Sequence, residues 1–180
     1  MANVDDFAAR LLEESKRFLE KAKDETGSEG KTACLHASLA LAFCSFEAHI
    51  NSIAEELSLQ SELSVLDRSI LEEKDYRLSD GQFALADTSK FYRLTERIEF
   101  LFTRFSTTPI DKTESWWAKL KGAIQIRNQL THPKQHSEIT EQIVADAIQA
   151  IIDCLDTLYR AIYLKPYPRG KRGLASTMTF

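Results

Sequence analysis

Hydrophobic residues recur at steps of three and four along most of this chain, a spacing that places them on one face of an α-helix. The pattern predicts long helices over residues 3–25, 31–57, 89–105, 113–131 and 137–165. The second of these is apolar nearly all round its first half, which is typical of the central helix of a bundle. Pro133 and Pro166 are expected to stop the last two, because a residue before proline is pushed out of the helical region.

Residues 58–88 carry a weaker pattern. Leu63, Leu66, Ile70 and Leu71 predict a short helix there, and the segment 79–81 (Ser-Asp-Gly) predicts a turn. Since no alternating strand pattern is visible, the sequence predicts an all-α fold, a four- to five-helix up-and-down bundle with a short helical excursion around residues 58–88. We expect one helical domain over residues 1–165, followed by a basic C-terminal tail over 166–180.

Composition narrows the class of protein only slightly. The 180 residues carry a net charge of −4, which argues against a generic basic nucleic-acid coat but permits a local phosphate-binding patch. The first residues lack the features of a secretory signal, and the most apolar stretch, residues 37–46, is too short to span a bilayer. Three cysteines without Cys-x-x-Cys spacing predict reduced, buried thiols. We therefore expect a cytoplasmic protein without a membrane segment.

The segment from Arg127 to His132 is the most informative candidate site. An arginine is followed by Asn128 and, five positions on, by a histidine where the fourth helix should end. The alternative interpretation is that Arg127 caps the last carbonyls of its helix and that His132-Pro133 only terminates it. A zinc site at His132 and His136 lacks a third ligand, so the sequence predicts no metal and no cofactor.

In this setting the chain resembles the HEPN superfamily, whose hallmark is an R-x(4–6)-H motif late in a helical bundle. A second stretch, residues 46–57 beginning Phe-Glu-Ala-His-Ile-Asn, is similar to the long second helix of several bacterial HEPN branches, including RiboL-PSP-HEPN. The resemblance covers roughly residues 31–165 and is loose between the two motifs.

The resemblance implies a metal-independent endoribonuclease. In such an enzyme the RNA 2′-hydroxyl is the nucleophile, His132 moves a proton, and Arg127 stabilises the phosphoryl oxygens. Asn128 would orient either group, and Glu47 and Asn51, one turn apart on one helix face, are secondary candidates. The alternative for these last two is an ordinary polar edge of a half-buried helix.

The resemblance also implies RNA as the substrate and a homodimer whose paired motifs line one groove. It further implies a toxin or defence effector with an antitoxin protein as a possible partner. The competing hypothesis is a non-catalytic HEPN-like module for dimerisation, protein interaction or nucleotide binding.

Four cations on the predicted third helix form a second candidate, here called the basic stripe. At helical spacing they fall within one sector, where an RNA backbone could bind, or where long side chains could pair with a neighbouring helix instead. The basic stripe consists of Lys90, Arg93, Arg97 and Arg104.

The adjacent Trp116 and Trp117 lie about 100° apart on their helix, so both cannot enter one narrow core face. We expect one of them to be partly exposed and to mark a two-fold contact between protomers. The alternative is that residues 58–88 fold over it within one chain.

Overall fold

The computed structural model describes residues 4–133 and 138–180, which form a mainly α-helical protein with one small sheet. Six helices and a two-stranded antiparallel sheet are present in these residues. In chain order the elements are α1 (Val4–Asp24), α2 (Ser28–Ser58), α3 (Val65–Glu72), β1 (Lys74–Ser79), β2 (Gln82–Ser89), α4 (Leu94–Phe105), α5 (Ser115–Thr131) and α6 (Glu141–Tyr163), and a 3₁₀ turn spans Gly170–Arg172.

Helix α2 is the centre of the fold and contacts each of the other five helices. It is antiparallel to α1, and small polar residues allow the two backbones to approach closely. Ser15 Oγ donates to the Ser38 carbonyl oxygen over 2.8 Å, and Ser38 Oγ donates back to the Ser15 carbonyl over 2.7 Å. Ser45 Oγ donates to the Ala8 carbonyl in the same way. These reciprocal bonds satisfy buried hydroxyls and fix the register of the pair.

By length and composition, α2 is also long and apolar enough to cross a membrane, which residues 37–46 alone did not predict. Half of its most apolar window is buried inside the protein. The core helix of a globular bundle has this same composition.

The prediction that residues 58–88 contain no strand is wrong. After α3 the chain forms a β-hairpin, in which Tyr76 pairs with Leu85 and Ser79 with Gln82. Asp80 and Gly81 have φ values of 52° and 79°, as a tight two-residue hairpin turn requires. The alternation of Tyr76 with Leu78 and of Phe83 with Leu85 around this turn is short, because most hairpin side chains are exposed and no core face extends it.

The third long helix begins at Leu94 and not at residue 89. Strand β2 continues to Ser89, and the Lys90 amide then donates to the Glu73 carbonyl over 2.8 Å. The Arg93 amide donates to the Glu96 carboxylate, which marks the true start of α4. A helix from residue 89 would have placed Phe91 on its inner face, whereas Phe91 is exposed in the linker before α4.

The prediction of a partly exposed tryptophan is also wrong, because Trp116 and Trp117 are both buried. Their rings pack edge to face with centroids 5.7 Å apart. The segment before α5 covers this position: Lys112 Nζ lies 5.9 Å from the Trp117 ring and Ile110 packs against the core. The loop before α5 thus helps to cover the tryptophan ring that the helix face alone would leave exposed, so the tryptophans no longer support a protomer contact.

Helix α6 begins at Glu141 with Thr140 as its N-cap, whose hydroxyl accepts from the Ile143 amide. Ser137, at which the sequence predicts this helix to start, lies outside the described residues. Beyond α6, the segment 166–180 packs back on the helices. Tyr167 is buried, and the Ser176 hydroxyl donates to the Glu13 carbonyl on α1.

Candidate functional site

The two sequence stretches that carry the family resemblance meet in space. Glu47 on α2 forms an ion pair with Arg127 on α5, with 2.5 Å between Oε1 and Nη2. One turn before Glu47, the Phe43 ring lies 5.2 Å from the Arg127 guanidinium carbon. Arg127 is thereby held between an aromatic face and a carboxylate. Its Nε is buried and has no hydrogen-bond partner among the described residues.

A second arginine, Arg97 on α4, joins the same region from the other side. Its Nη1 donates to Asn51 Oδ1 over 2.7 Å and lies 3.2 Å from the Glu73 carboxylate. Glu73 sits at the end of α3 with φ 50°, a left-handed conformation that turns the chain into the hairpin. Arg97 is buried, and its desolvation lowers its pKa, against the opposing effect of Glu73 and Glu47. The guanidinium remains charged at any ordinary pH.

These groups line one cleft of about 660 Å³ between α2, α4, α5 and the linker after the hairpin. Three guanidinium groups and two carboxylates face it, leaving one formal positive charge. The polar and aromatic lining residues are Glu47, Asn51, Glu73, Phe91, Tyr92, Arg93, Thr95, Arg97, Arg127 and Asn128. The predicted residues Glu47, Asn51, Arg93, Arg97, Arg127 and Asn128 therefore come together.

His132 occupies a different position. It caps the C-terminus of α5, where its amide donates to the Asn128 carbonyl over 2.9 Å, and its side chain is exposed. His132 follows Arg127 by five positions, which at helical spacing corresponds to about 7.5 Å along the helix axis and about 140° around it. His132 is accordingly not among the residues that line the cleft.

The basic stripe is not a single helix face, because Lys90 and Arg93 precede α4. Three of its members already have partners. Arg97 pairs with Glu73, Arg104 lies 3.4 Å from the Asp67 carboxylate, and Lys90 Nζ lies 3.5 Å from the Asp75 carboxylate. Arg93 is exposed and forms no ion pair within the described ranges. Pairing with neighbouring elements thus accounts for three of the four cations.

Glu73, Tyr92 and Phe91 belong to the cleft but were not predicted there. The first two flank the hairpin, which the all-α interpretation did not predict. Phe91 did carry a signal, an aromatic residue beside cations, but the helical assignment of residues 89–93 directed it towards the core.

No group of three or more His, Cys, Asp or Glu residues in the described part of the chain is arranged to hold a metal ion. His136, the other histidine of the zinc arrangement considered above, lies outside the described residues. The three cysteines are free thiols, and Cys44 is exposed where a buried residue was expected. Burial of Cys154 raises the pKa of its thiol.

No family model, no curated protein and no solved structure matches this chain.

Proposed function

We propose that this chain is a metal-independent endoribonuclease of the HEPN type, built on a helical bundle. The observation that carries the proposal is the ion pair between Glu47 and Arg127, residues 80 positions apart. It joins the two stretches on which the resemblance rests, inside a cleft that also holds Asn51 and Asn128.

The residue types suit cleavage of RNA by its own 2′-hydroxyl. That oxygen attacks the adjacent phosphorus, a 2′,3′-cyclic phosphate forms, and the 5′-oxygen leaves after taking up a proton. Arg127 supplies donors to the phosphoryl oxygens as negative charge builds up on them. His132 is the group that transfers protons, and its exposed position leaves it accessible to substrate.

A homodimer would resolve the separation of His132 from Arg127 around α5. A two-fold contact beside the end of α5 places the histidine of one protomer near the arginine of the other. The buried tryptophans do not support this contact, so it rests on the helix geometry and on the resemblance. Mixed dimers of Arg127→Ala and His132→Ala chains test it directly. A composite site predicts partial recovery of activity, whereas independent sites predict none.

The biological setting that we propose is a toxin or defence effector in the cytoplasm, held inactive by an antitoxin protein. It is supported by the resemblance only. Expression of the wild-type chain and of the His132→Ala variant in the same host tests it, since only the active chain is expected to arrest growth.

A second candidate function is a nucleotide-binding or interaction module without catalysis. The charge balance favours the interaction module, because Glu47 and Glu73 already neutralise much of the positive charge of Arg97 and Arg127 that an RNA would need. A nucleoside triphosphate bound in the cleft would raise the melting temperature of the protein. Such stabilisation without any RNA cleavage would support the module.

The decisive experiment is cleavage of single-stranded RNA in EDTA by the purified chain. Arg127→Ala and His132→Ala are each expected to lower the rate at least about a hundredfold, in line with the loss of a charge-stabilising group or a general acid–base. Arg160→Ala and His36→Ala are matched controls, because Arg160 pairs with Asp156 on α6 and neither residue lines the cleft. Cleavage that needs Mg²⁺, or that survives both active-site substitutions, would contradict the proposal.

A further inference from the structure

The linker between the hairpin and α4 presents an aromatic ring to solvent at the wall of the cleft. Phe91 is 83% exposed and lines the cleft together with Arg97 and Arg127. A phenylalanine in this position contributes little to the core. Its ring is instead available to a ligand that enters the cleft.

The linker is fixed in place by the residue that follows. Tyr92 Oη hydrogen-bonds Ser69 Oγ on α3 over 2.8 Å, and the Tyr92 ring lies 5.5 Å from Lys90 Nζ. The backbone at Arg93 is extended, with φ −63° and ψ 140°. Phe91 and Arg93 are both exposed and both line the cleft, while Tyr92 between them is half-buried, so the ring and the guanidinium are displayed together on an anchored segment.

Arg97 lies between two clefts whose lining residues carry different net charges. A second cleft, of about 700 Å³, shares Asn51, Glu73 and Arg97 but adds Glu55 and Glu72 against Arg68. Its three carboxylates and two guanidinium groups make it unfavourable for an anion. An RNA backbone is therefore directed to the side that holds Phe91, Arg93 and Arg127.

We propose that Phe91 is a stacking platform for one unpaired nucleobase, while Arg93 and Arg127 hold the phosphates that flank it. Every base has a π-face that an aromatic side chain can cover, and the alternation of ring and guanidinium matches the alternation of base and phosphate. Bases in a duplex are already stacked on their neighbours, so the substrate class is single-stranded RNA or a loop. The inference rests on the proposed function and adds to it the residue that binds a base of the single-stranded substrate.

Binding of a short 2′-O-methyl oligonucleotide tests the platform without turnover, because the methylated oxygen cannot attack the phosphate. The same oligonucleotide with abasic positions keeps every phosphate and removes the stacking. Phe91→Ala is expected to weaken binding of the base-containing strand roughly 5- to 150-fold, the loss of one stacked base, and to leave binding of the abasic strand unchanged. Phe91→Trp should preserve the difference between the two strands.

The matched control is Phe83→Ala, which removes a ring that is 62% exposed on β2 and does not line the cleft. It should bind both strands as the wild type does. Phe91→Trp also gives a spectroscopic signal, because the native tryptophans are only 5% and 2% exposed. Iodide should quench the new indole in the free protein, and the base-containing strand should protect it.

The outcomes separate this inference from the proposed function. If RNA cleavage depends on Arg127 and His132 but Phe91→Ala binds both strands like the wild type, the platform is wrong and the nuclease stands. If the wild type cleaves no RNA but binds the base-containing strand through Phe91, the platform stands and the nuclease is wrong. Equal affinity of the wild type for base-containing and abasic strands, or for duplex and single strands, also overturns the platform.

Discussion

The buried histidine at the centre of α2 gives this protein a predictable dependence of stability on pH. His49 is 2% exposed, and its Nε2 lies 2.8 Å from Tyr167 Oη. Burial lowers the pKa of His49 to about 4; the nearby charge of Asp5 raises this pKa by a smaller amount, and the charge of Arg169 lowers it further. In the unfolded chain the imidazole titrates near its ordinary pKa of about 6.5.

The direction of the effect follows from these two values. Between pH 6.5 and 4 the unfolded chain binds a proton at His49 and the folded chain does not, so acidification favours unfolding. The stabilisation that the neutral, buried His49 gives to the folded protein is fully present above pH 6.5 and is lost progressively as the pH falls towards 4. At about 1.4 kcal/mol per pH unit over a shift of about 2.5 units, the free energy of unfolding decreases by roughly 3 kcal/mol.

Urea denaturation at a series of pH values between 7.5 and 4, followed by circular dichroism, measures this loss. His49→Gln keeps a polar side chain that can bond Tyr167 but does not titrate, so its stability should fall less steeply than that of the wild type. Tyr167→Phe is the control, since it removes the hydrogen bond, at a cost of about 1 kcal/mol, and keeps the titrating group. Parallel loss of stability in the wild type and in His49→Gln across this range would refute the reasoning.

Two further predictions concern the elements around the cleft. Arg97→Ala removes a buried charge and leaves Asn51 and Glu73 without their partner. It should lower the free energy of unfolding, measured by urea denaturation, by about 3 kcal/mol. An unchanged denaturation midpoint would contradict the structural role of these two contacts. Gly81→Val places a β-branched residue at φ 79° in the exposed hairpin turn. Faster amide hydrogen exchange in β1 with unchanged exchange in α6 is the expected result, and uniform acceleration would show that the hairpin is not a local unit.

The helices of this fold could be predicted from the sequence because burial imposes a period. The predicted 3–25 and the observed Val4–Asp24 agree closely, since Leu12 and Leu19 face the core and most charged residues of α1 lie outside it; Lys16 is the exception, buried and paired with Glu13. The hairpin could not be predicted in this way, because most of its side chains are exposed and do not pack into the core. Its signal is local and the all-α interpretation did not use it: Asp80-Gly81 follows the alternating Tyr76 and Leu78 and precedes the alternating Phe83 and Leu85, which is a hairpin pattern.

The residues of the candidate site that could be predicted from the sequence are likewise those on the long helices. Glu47, Asn51 and Arg127 lie on long helices whose faces the sequence defines, and they do meet. Glu73 and Tyr92 reach the cleft only through the turn out of α3 and the path of the linker, which depend on tertiary contacts. The tryptophan argument failed for a related reason, because a segment outside the helix supplied the second half of the cover.

The linker from Lys90 to Arg93 forms part of the cleft wall, but its exposed side chains contribute little to the stability of the protein. The core is formed by α1, α2 and α6 with parts of α4 and α5, and Phe91 and Arg93 contribute no buried side chain to it. Substitutions at these two positions therefore alter the chemistry of the cleft wall at little cost in folding. With Tyr92 retained as the anchor, they are the natural sites at which to redesign ligand preference, and a library limited to them should contain mostly folded proteins.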